Sequence, residues 1–209
     1  MIVKRLQAGV YAANCYIIHN EDGDGVVVDP AGDIDDIIKY LDGNDVKVAA
    51  IVLTHGHGDH IGGVMELREK LSVPVMIHSD DEDMVGDSAL NLSTAMPMGD
   101  VYFKPDILLE DGSVIKVGNK EIKVIHTPGH TKGGICLLVD GILITGDTLF
   151  QGSIGRTDLY GGDFDTLMNS IMERLMILPE ETVVYPGHGG QSTIGVEKRN
   201  NPFISRWRE

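Results

Sequence analysis

The sequence predicts an α+β domain arranged as a four-layer αβ/βα sandwich, with helices outside two packed sheets, spanning residues 1–209 as a single unit. Three observations lead there. Short β-rich runs are divided by tight Gly-containing turns that mark hairpins, three stretches carry apolar residues at helical spacing, and no repeat or low-complexity linker divides the chain. A chain of 209 residues can bury a core that needs no staples.

In chain order, Val26-Val27-Val28 follows the turn Asp22-Gly23-Asp24-Gly25 as one arm of a hairpin, and Asp29 ends it before Pro30. Asp29 could open a turn or steady a neighbouring loop, and it stands outside the expected catalytic set. Helical periodicity covers 33–41, 62–71 and 165–177, the last through Leu167, Ile171, Leu175 and Leu178. Between the first two lies the apolar run Val48-Ala49-Ala50-Ile51-Val52-Leu53. Ser79-Asp80-Asp81-Glu82-Asp83 starts an acidic excursion to about Gly112, expected as a solvated helix start and surface connection, or as a lid with Met96, Pro97 and Met98 as its apolar wall. Gly118-Asn119 separates strands 114–117 and 121–125, and Asp140-Gly141 separates 135–139 and 142–145, so the hairpins imply antiparallel sheets. The ending, from Glu197 to Trp207, is expected to dock on the domain.

The chemistry is concentrated where the apolar runs stop. Thr54-His55-Gly56-His57-Gly58-Asp59-His60 places three imidazoles and a carboxylate in one short loop, and the glycines allow it to fold tightly. His130, Asp147 and His188 each follow another strand-like run that ends in a Gly-containing turn. Five histidines and two aspartates are too many for one ion and suit two. A structural zinc site would be a closed set of four donors, often rich in Cys, and no Cys belongs to this group. His19, His78 and His126 lie away from these slots and are expected as ordinary hydrogen-bonded histidines. Tyr185 is expected in the core.

His55, His57, Asp59 and His60, followed in order by His130, Asp147 and His188, resemble the metallo-β-lactamase fold superfamily. The resemblance implies that His55, His57 and His130 hold a first metal, that Asp59, His60 and His188 hold a second, and that Asp147 bridges them. Two divalent ions per chain are implied, zinc first, with iron or manganese as alternatives. Gly146-Asp147-Thr148-Leu149-Phe150, His126-Thr127-Pro128-Gly129-His130-Thr131 and Tyr185-Pro186-Gly187-His188 further resemble the glyoxalase II group, thioesterases acting on S-D-lactoylglutathione. The zinc β-lactamases generally have Cys where Asp147 stands, which argues against antibiotic hydrolysis, and the flavodiiron relatives have Glu where His57 stands, which argues against that oxygen-reducing branch.

Glyoxalase II proper continues into a helical domain that contacts glutathione, whereas about twenty residues follow His188 here, so the resemblance is to a short single-domain type whose thiol carrier need not be glutathione. Its Tyr after the last ligand is replaced by Gly189-Gly190, and its Lys after the bridging Asp by Gly155-Arg156-Thr157-Asp158. Arg156 is therefore the expected substrate-binding residue, able to grip a carboxylate as a fork. Asp59 is the expected catalytic residue, anchoring the second metal and orienting the attacking water. A mononuclear iron persulfide dioxygenase and a lactonase of the same fold are the alternative activities.

Composition bounds the partners. Seventeen basic and 32 acidic residues give a net charge of −15, which disfavours nucleic acid and anionic membranes and leaves a small-molecule thioester as the expected partner. The amino terminus turns polar before a signal-peptide core could form, and no apolar run approaches the roughly 20 residues of a membrane span, so a cytoplasmic location is expected. Cys15 and Cys136 lie in apolar runs, as buried reduced thiols would. These residues leave the oligomeric state open.

Overall fold

Period-two alternation along the strands sorts the apolar side chains into three separate cores, one between two sheets and one outside each. In the computed structural model, which describes residues 1–207, each sheet has six strands. The first begins as an antiparallel meander of β1 (Ile2–Ala8), β2 (Ala13–His19) and β3 (Asp24–Val28). Helix α1 (Ile34–Gly43) then returns the chain so that β4 (Lys47–Val52) pairs parallel to β3. Helices α2 (Gly58–Ile61) and α3 (Val64–Leu71) do the same for β5 (Val75–His78). After a helical turn at Ser79–Asp81, α4 (Glu82–Val85) and a second turn at Ser93–Ala95, β6 (Ile107–Leu109) closes this sheet parallel to β5.

The second sheet takes β7 (Val114–Val117), β8 (Lys120–His126), β9 (Ile135–Val139) and β10 (Ile142–Gly146) as successive antiparallel neighbours. The small pair β11 (Leu149–Phe150) and β12 (Ser153–Ile154) follows, then α5 (Phe164–Ser170) with a π-helical continuation at Ile171–Leu175. That segment carries the chain across, so β13 (Val183–Pro186) lies parallel to β10, with β14 (Ser192–Thr193) at the edge. Helices α6 (Ile194–Asn200) and α7 (Pro202–Trp207) complete the described residues. Both sheets are thus mixed, unlike the antiparallel sheets implied by the hairpins. Hairpin turns report only local pairing, while parallel pairs need a crossover that leaves no turn signature.

In β2, Tyr16 and Ile18 point between the sheets while Cys15 and Ile17 point out toward α1 and α3. Val28, Ala50 and Val52 join the inner core opposite Ile122, Val124, Ile135 and Leu137 from the second sheet. On the far side, Cys136, Leu143 and Val184 pack with Leu167, Ile171 and Leu175 of the helical layer and with Ile204 of α7. Each such side chain buried contributes about 1.5–3 kcal/mol, which fixes register because a one-residue slip would expose a whole face. Both cysteines are buried and free, and burial raises the Cys136 thiol to about 11.

The 80–112 excursion is more deeply packed than a surface connection. Met84, Val85, Asn91, Ser93 and Phe103 are buried, and the Asn91 carbonyl accepts from Gly58 N at 2.7 Å. The ending docks through Ile204 and through buried Glu197, which accepts from Gly152 N and from Asn201 Nδ2. Among the described residues, no helix is long and apolar enough to cross a membrane.

Candidate metal centre

Loops from both sheets meet at one edge of the sandwich. The loop after β4 and the start of α2 carry His55, His57, Asp59 and His60, and the loops after β8, β10 and β13 carry His130, Asp147 and His188. His55, His57 and His130 form one cluster and Asp59, His60 and His188 a second, the donor atoms in each lying within 4.8 Å of one another. Asp147 stands between them. Its Oδ1 is 3.4 Å from His60 Nε2, and its Oδ2 is 3.7 Å from His130 Nε2 and 3.8 Å from His188 Nε2.

Hydrogen bonds from behind fix the tautomers. Thr54 Oγ1 donates to Asp29 Oδ2 at 2.6 Å and so accepts from His55 Nδ1, at 3.0 Å. His60 Nδ1 donates to the same Asp29 oxygen at 3.1 Å, and His130 Nδ1 donates to the Arg156 carbonyl at 2.7 Å. Each of these rings therefore turns its Nε2 inward. His130 Nε2 meets His57 Nδ1 at 2.9 Å, and His60 Nε2 meets His188 Nε2 at 3.2 Å. Lone pairs brought this close repel unless a cation or proton lies between them.

Three buried polar atoms of the set have no hydrogen-bond partner, namely His55 Nε2, His57 Nε2 and Asp147 Oδ1. Orphans of this kind cost about 1–3 kcal/mol each unless something satisfies them. Converging neutral imidazoles and carboxylates are the donors that zinc and iron prefer, and this set fits two divalent ions.

Electrostatics favours the same occupants. Burial, then the neighbouring imidazoles, holds His55 far below the ordinary imidazole range, and burial followed by His130 brings His57 down to about 3. These lone pairs are available at neutral pH. Burial works against charge on His60 too, yet Asp147 and Asp29 outweigh it and hold its proton well above the usual range. Asp147 and Asp59 stay below the usual carboxylate range although burial opposes it, Asp147 mainly through His60 and Asp59 mainly through His188.

All seven metal ligands expected from sequence meet here, and Asp59, the expected catalytic residue, has Oδ2 3.2 Å from His188 Nε2. Arg156 enters differently from expectation. Its carbonyl supports His130, while its exposed guanidinium is paired with Asp158 through two 2.8 Å bonds. Gly56 and Gly58 differ as well, since neither has a positive φ. A Cβ on Gly56 would sit 2.9 Å from Met84 Sδ, and one on Gly58 3.0 Å from Met96 Sδ, so these glycines admit the excursion against the loop.

Two supporting residues, Asp81 and Asn14, are not legible in the sequence, and a third, Asp29, takes one of the two roles its position offers. Asp29 steadies the neighbouring loop, being buried at φ 50° and serving both His60 and Thr54. Asp81, read as part of a solvated acidic run, is buried and accepts from Gly56 N, Thr131 Oγ1 and Gly133 N, tying together the loops that carry His57 and His130. Asn14 donates to the Pro186 and Gly189 carbonyls and so anchors the His188 loop. A polar residue inside an apolar strand, as in Ala13-Asn14-Cys15, was the available signal for the last.

A profile of the metallo-beta-lactamase superfamily matches residues 8–188. The hydroxyacylglutathione hydrolase GloC of Haemophilus influenzae is 31% identical over 209 residues, covering 98% of this chain and 99% of that protein. The solved structure of BLEG-1 B3 metallo-beta-lactamase is 38% identical with a TM-score of 0.93, covering 98% of this chain and all of that one. That of TTHA1623 in a di-iron-bound form is 34% identical with a TM-score of 0.84, covering 96% and 99%.

Proposed function

The chain belongs to the metallo-beta-lactamase superfamily and is a metallo-hydrolase, and on that premise we propose that it hydrolyses hydroxyacyl thioesters such as S-D-lactoylglutathione at a dinuclear centre. The observation that carries the reading is the pair of donor clusters on either side of one carboxylate, Asp147. Whole-length similarity to GloC supports the thioester. His55, His57 and His130 would hold one ion and Asp59, His60 and His188 the other, with Asp147 placed between the two clusters.

Divalent ions bound there, zinc in the first place, would supply a readily deprotonated water and polarisation of the substrate carbonyl. The chain's own residues position the reaction. Asp59 orients the attacking water through its second carboxylate oxygen and takes up its proton. Water oxygen bonds to the acyl carbon, the carbon–sulfur bond breaks, and the proton passes to the departing thiolate, giving a carboxylic acid and a thiol. Asp29, Thr54 and the Arg156 carbonyl hold the Nδ1 protons of His60, His55 and His130, which keeps the opposite nitrogens aimed at the ions. The guanidinium of Arg156 reaches a carboxylate of the thiol carrier by leaving Asp158, its partner in the resting structure.

A second reading, β-lactam hydrolysis, is favoured by the whole-length similarity to BLEG-1. Elemental analysis beside turnover of S-D-lactoylglutathione, a lactone, a persulfide and a β-lactam tests all of these. Two ions per chain with fastest turnover of the thioester supports the proposal. One iron with oxygen-dependent persulfide turnover would replace it with the dioxygenase, and preference for lactam or lactone would keep the centre and change the substrate.

A further inference from the structure

Arg5 stands on the edge strand β1 directly across from Tyr16, so both side chains lie on the face that meets the second sheet. It reaches the loop after β13, where its Nη1 donates to the Gly189 carbonyl at 3.0 Å. Gly189 follows His188 directly. That bond holds the guanidinium beside the second donor cluster while the side chain stays exposed.

This is the side from which a substrate meets the centre. The His188 side chain is 31% exposed, against 16% for Asp59, 13% for Asp147, 5% for His130 and 0% for His60, and His55 and His57 are buried. Four other arginines, Arg68, Arg156, Arg174 and Arg199, are each paired with a carboxylate. Among the described residues Arg5 has no such partner, and its side chain makes a single hydrogen bond, to Gly189. A guanidinium carries five N–H donors in a planar fork, so the rest of this fork is free to meet a carboxylate with two parallel bonds.

We infer that Arg5 is a specificity-determining residue that binds a carboxylate of the thiol carrier on the His188 side of the centre. The inference rests on the thioester reading above for the identity of that carrier. Arg156 is tied by its carbonyl to His130 in the other cluster, so the two guanidiniums meet different carboxylates and the preferred thiol carries two. Arg5 is placed for this as the chain stands, whereas Arg156 must first leave Asp158. Substituting Arg5 leaves the loop anchored, because Asn14 Nδ2 donates to the same Gly189 carbonyl at 3.0 Å and Asn14 N donates to the Gly187 carbonyl at 2.7 Å.

The test is equilibrium binding of S-methylglutathione, a thioether with two carboxylates, and of its diethyl ester, which has none. Both are titrated into the metal-loaded chain and into Arg5→Gln and Arg5→Lys. The unchanged chain should prefer the diacid to the diester. In Arg5→Gln that preference should fall about tenfold, as loss of a charge-assisted pair requires, and Arg5→Lys should recover part of it. Elemental analysis should give the same metal content for all three proteins. No preference in the unchanged chain, an undiminished preference in Arg5→Gln, or equal weakening toward diacid and diester would overturn the inference. Loss of metal from Arg5→Gln would also overturn it, leaving Arg5 only the task of holding the His188 loop. Turnover of S-D-lactoylglutathione is read separately, so a chain that fails to hydrolyse it yet prefers the diacid through Arg5 would lose the reaction and keep the recognition.

Discussion

Asp29 holds two ligand positions through one carboxylate, accepting from His60 directly and from Thr54, whose hydroxyl in turn accepts from His55. Asn tolerates the left-handed backbone that Asp29 adopts at φ 50°, so Asp29→Asn keeps the fold but turns an acceptor into a donor at one oxygen. Metal affinity should fall about 10–100-fold, read by competition with a chelator, and an unchanged affinity would remove Asp29 from the positioning role. Arg156 separates main chain from side chain. Arg156→Ala retains the carbonyl that fixes His130, so kcat should stay within about twofold while KM for an anionic thioester rises about tenfold. An equal KM rise for a thioester without a carboxylate would count against recognition by the guanidinium. That the seven candidate donors meet was legible in the sequence, because such residue types are rare in dense, ordered spacing. Their supports were less so, Asp29 as one of two readings and Asp81 and Asn14 not at all, because these residues act through contacts 25 to 175 positions away.

Elements were legible to the extent that their signals are local. The turns at 118–119 and 140–141 give the expected antiparallel pairs, and Asp140 and Gly141 both take positive φ, 49° and 77°, as a tight hairpin turn requires. The helix expected over 165–177 runs over 164–175 and passes from α to π at Ile171, which periodicity alone does not distinguish. The parallel partners of β3, β4 and β10 were hidden because each pairing spans a crossover. One junction between elements carries a pH dependence. Asp111 accepts from His126 N at the end of β8 and from Arg174 in the π-helical segment, and although burial opposes it, these partners hold its carboxyl below the usual range. A carboxyl lowered by folding stabilises fully above its unfolded value near 4, and that stabilisation is lost as pH falls through the folded value. With a side chain 47% exposed, the junction contributes about 0.5–1 kcal/mol at neutral pH after allowance for solvent screening. Urea unfolding of Asp111→Asn should show that deficit at neutral pH and a shrinking one as pH falls below the usual carboxylate range. A deficit equal at neutral and acidic pH would mean that charge is not its source.

At the scale of the molecule, the candidate centre is where the sheets are joined across an open edge. The first sheet supplies four donors from one loop, and the second supplies three from the ends of β8, β10 and β13. Its order along the chain was readable, since each donor follows an apolar run, but the three-core layering that brings the loops together depends on which face each strand buries. The edge brings facing imidazole nitrogens to within 2.9 and 3.2 Å of one another in a chain whose net charge is −15. Ions that bind the folded chain alone stabilise it by about 2.7 kcal/mol per site at a free concentration a hundredfold above Kd. For two sites in a chain of this length, chelation should lower the melting temperature by about 10–20 °C, at about 2–4 °C for each kcal/mol. The loss should reverse when Zn2+ is returned, and it should be smallest for a variant that keeps both sheets folded but lacks Asp147, the carboxylate between the two clusters, because weakly held ions stabilise little. Thermal melts paired with elemental analysis decide the matter. A chain stripped of metal that melts where the loaded chain does would show that the three cores hold the sheets without help, and that the centre serves the reaction alone.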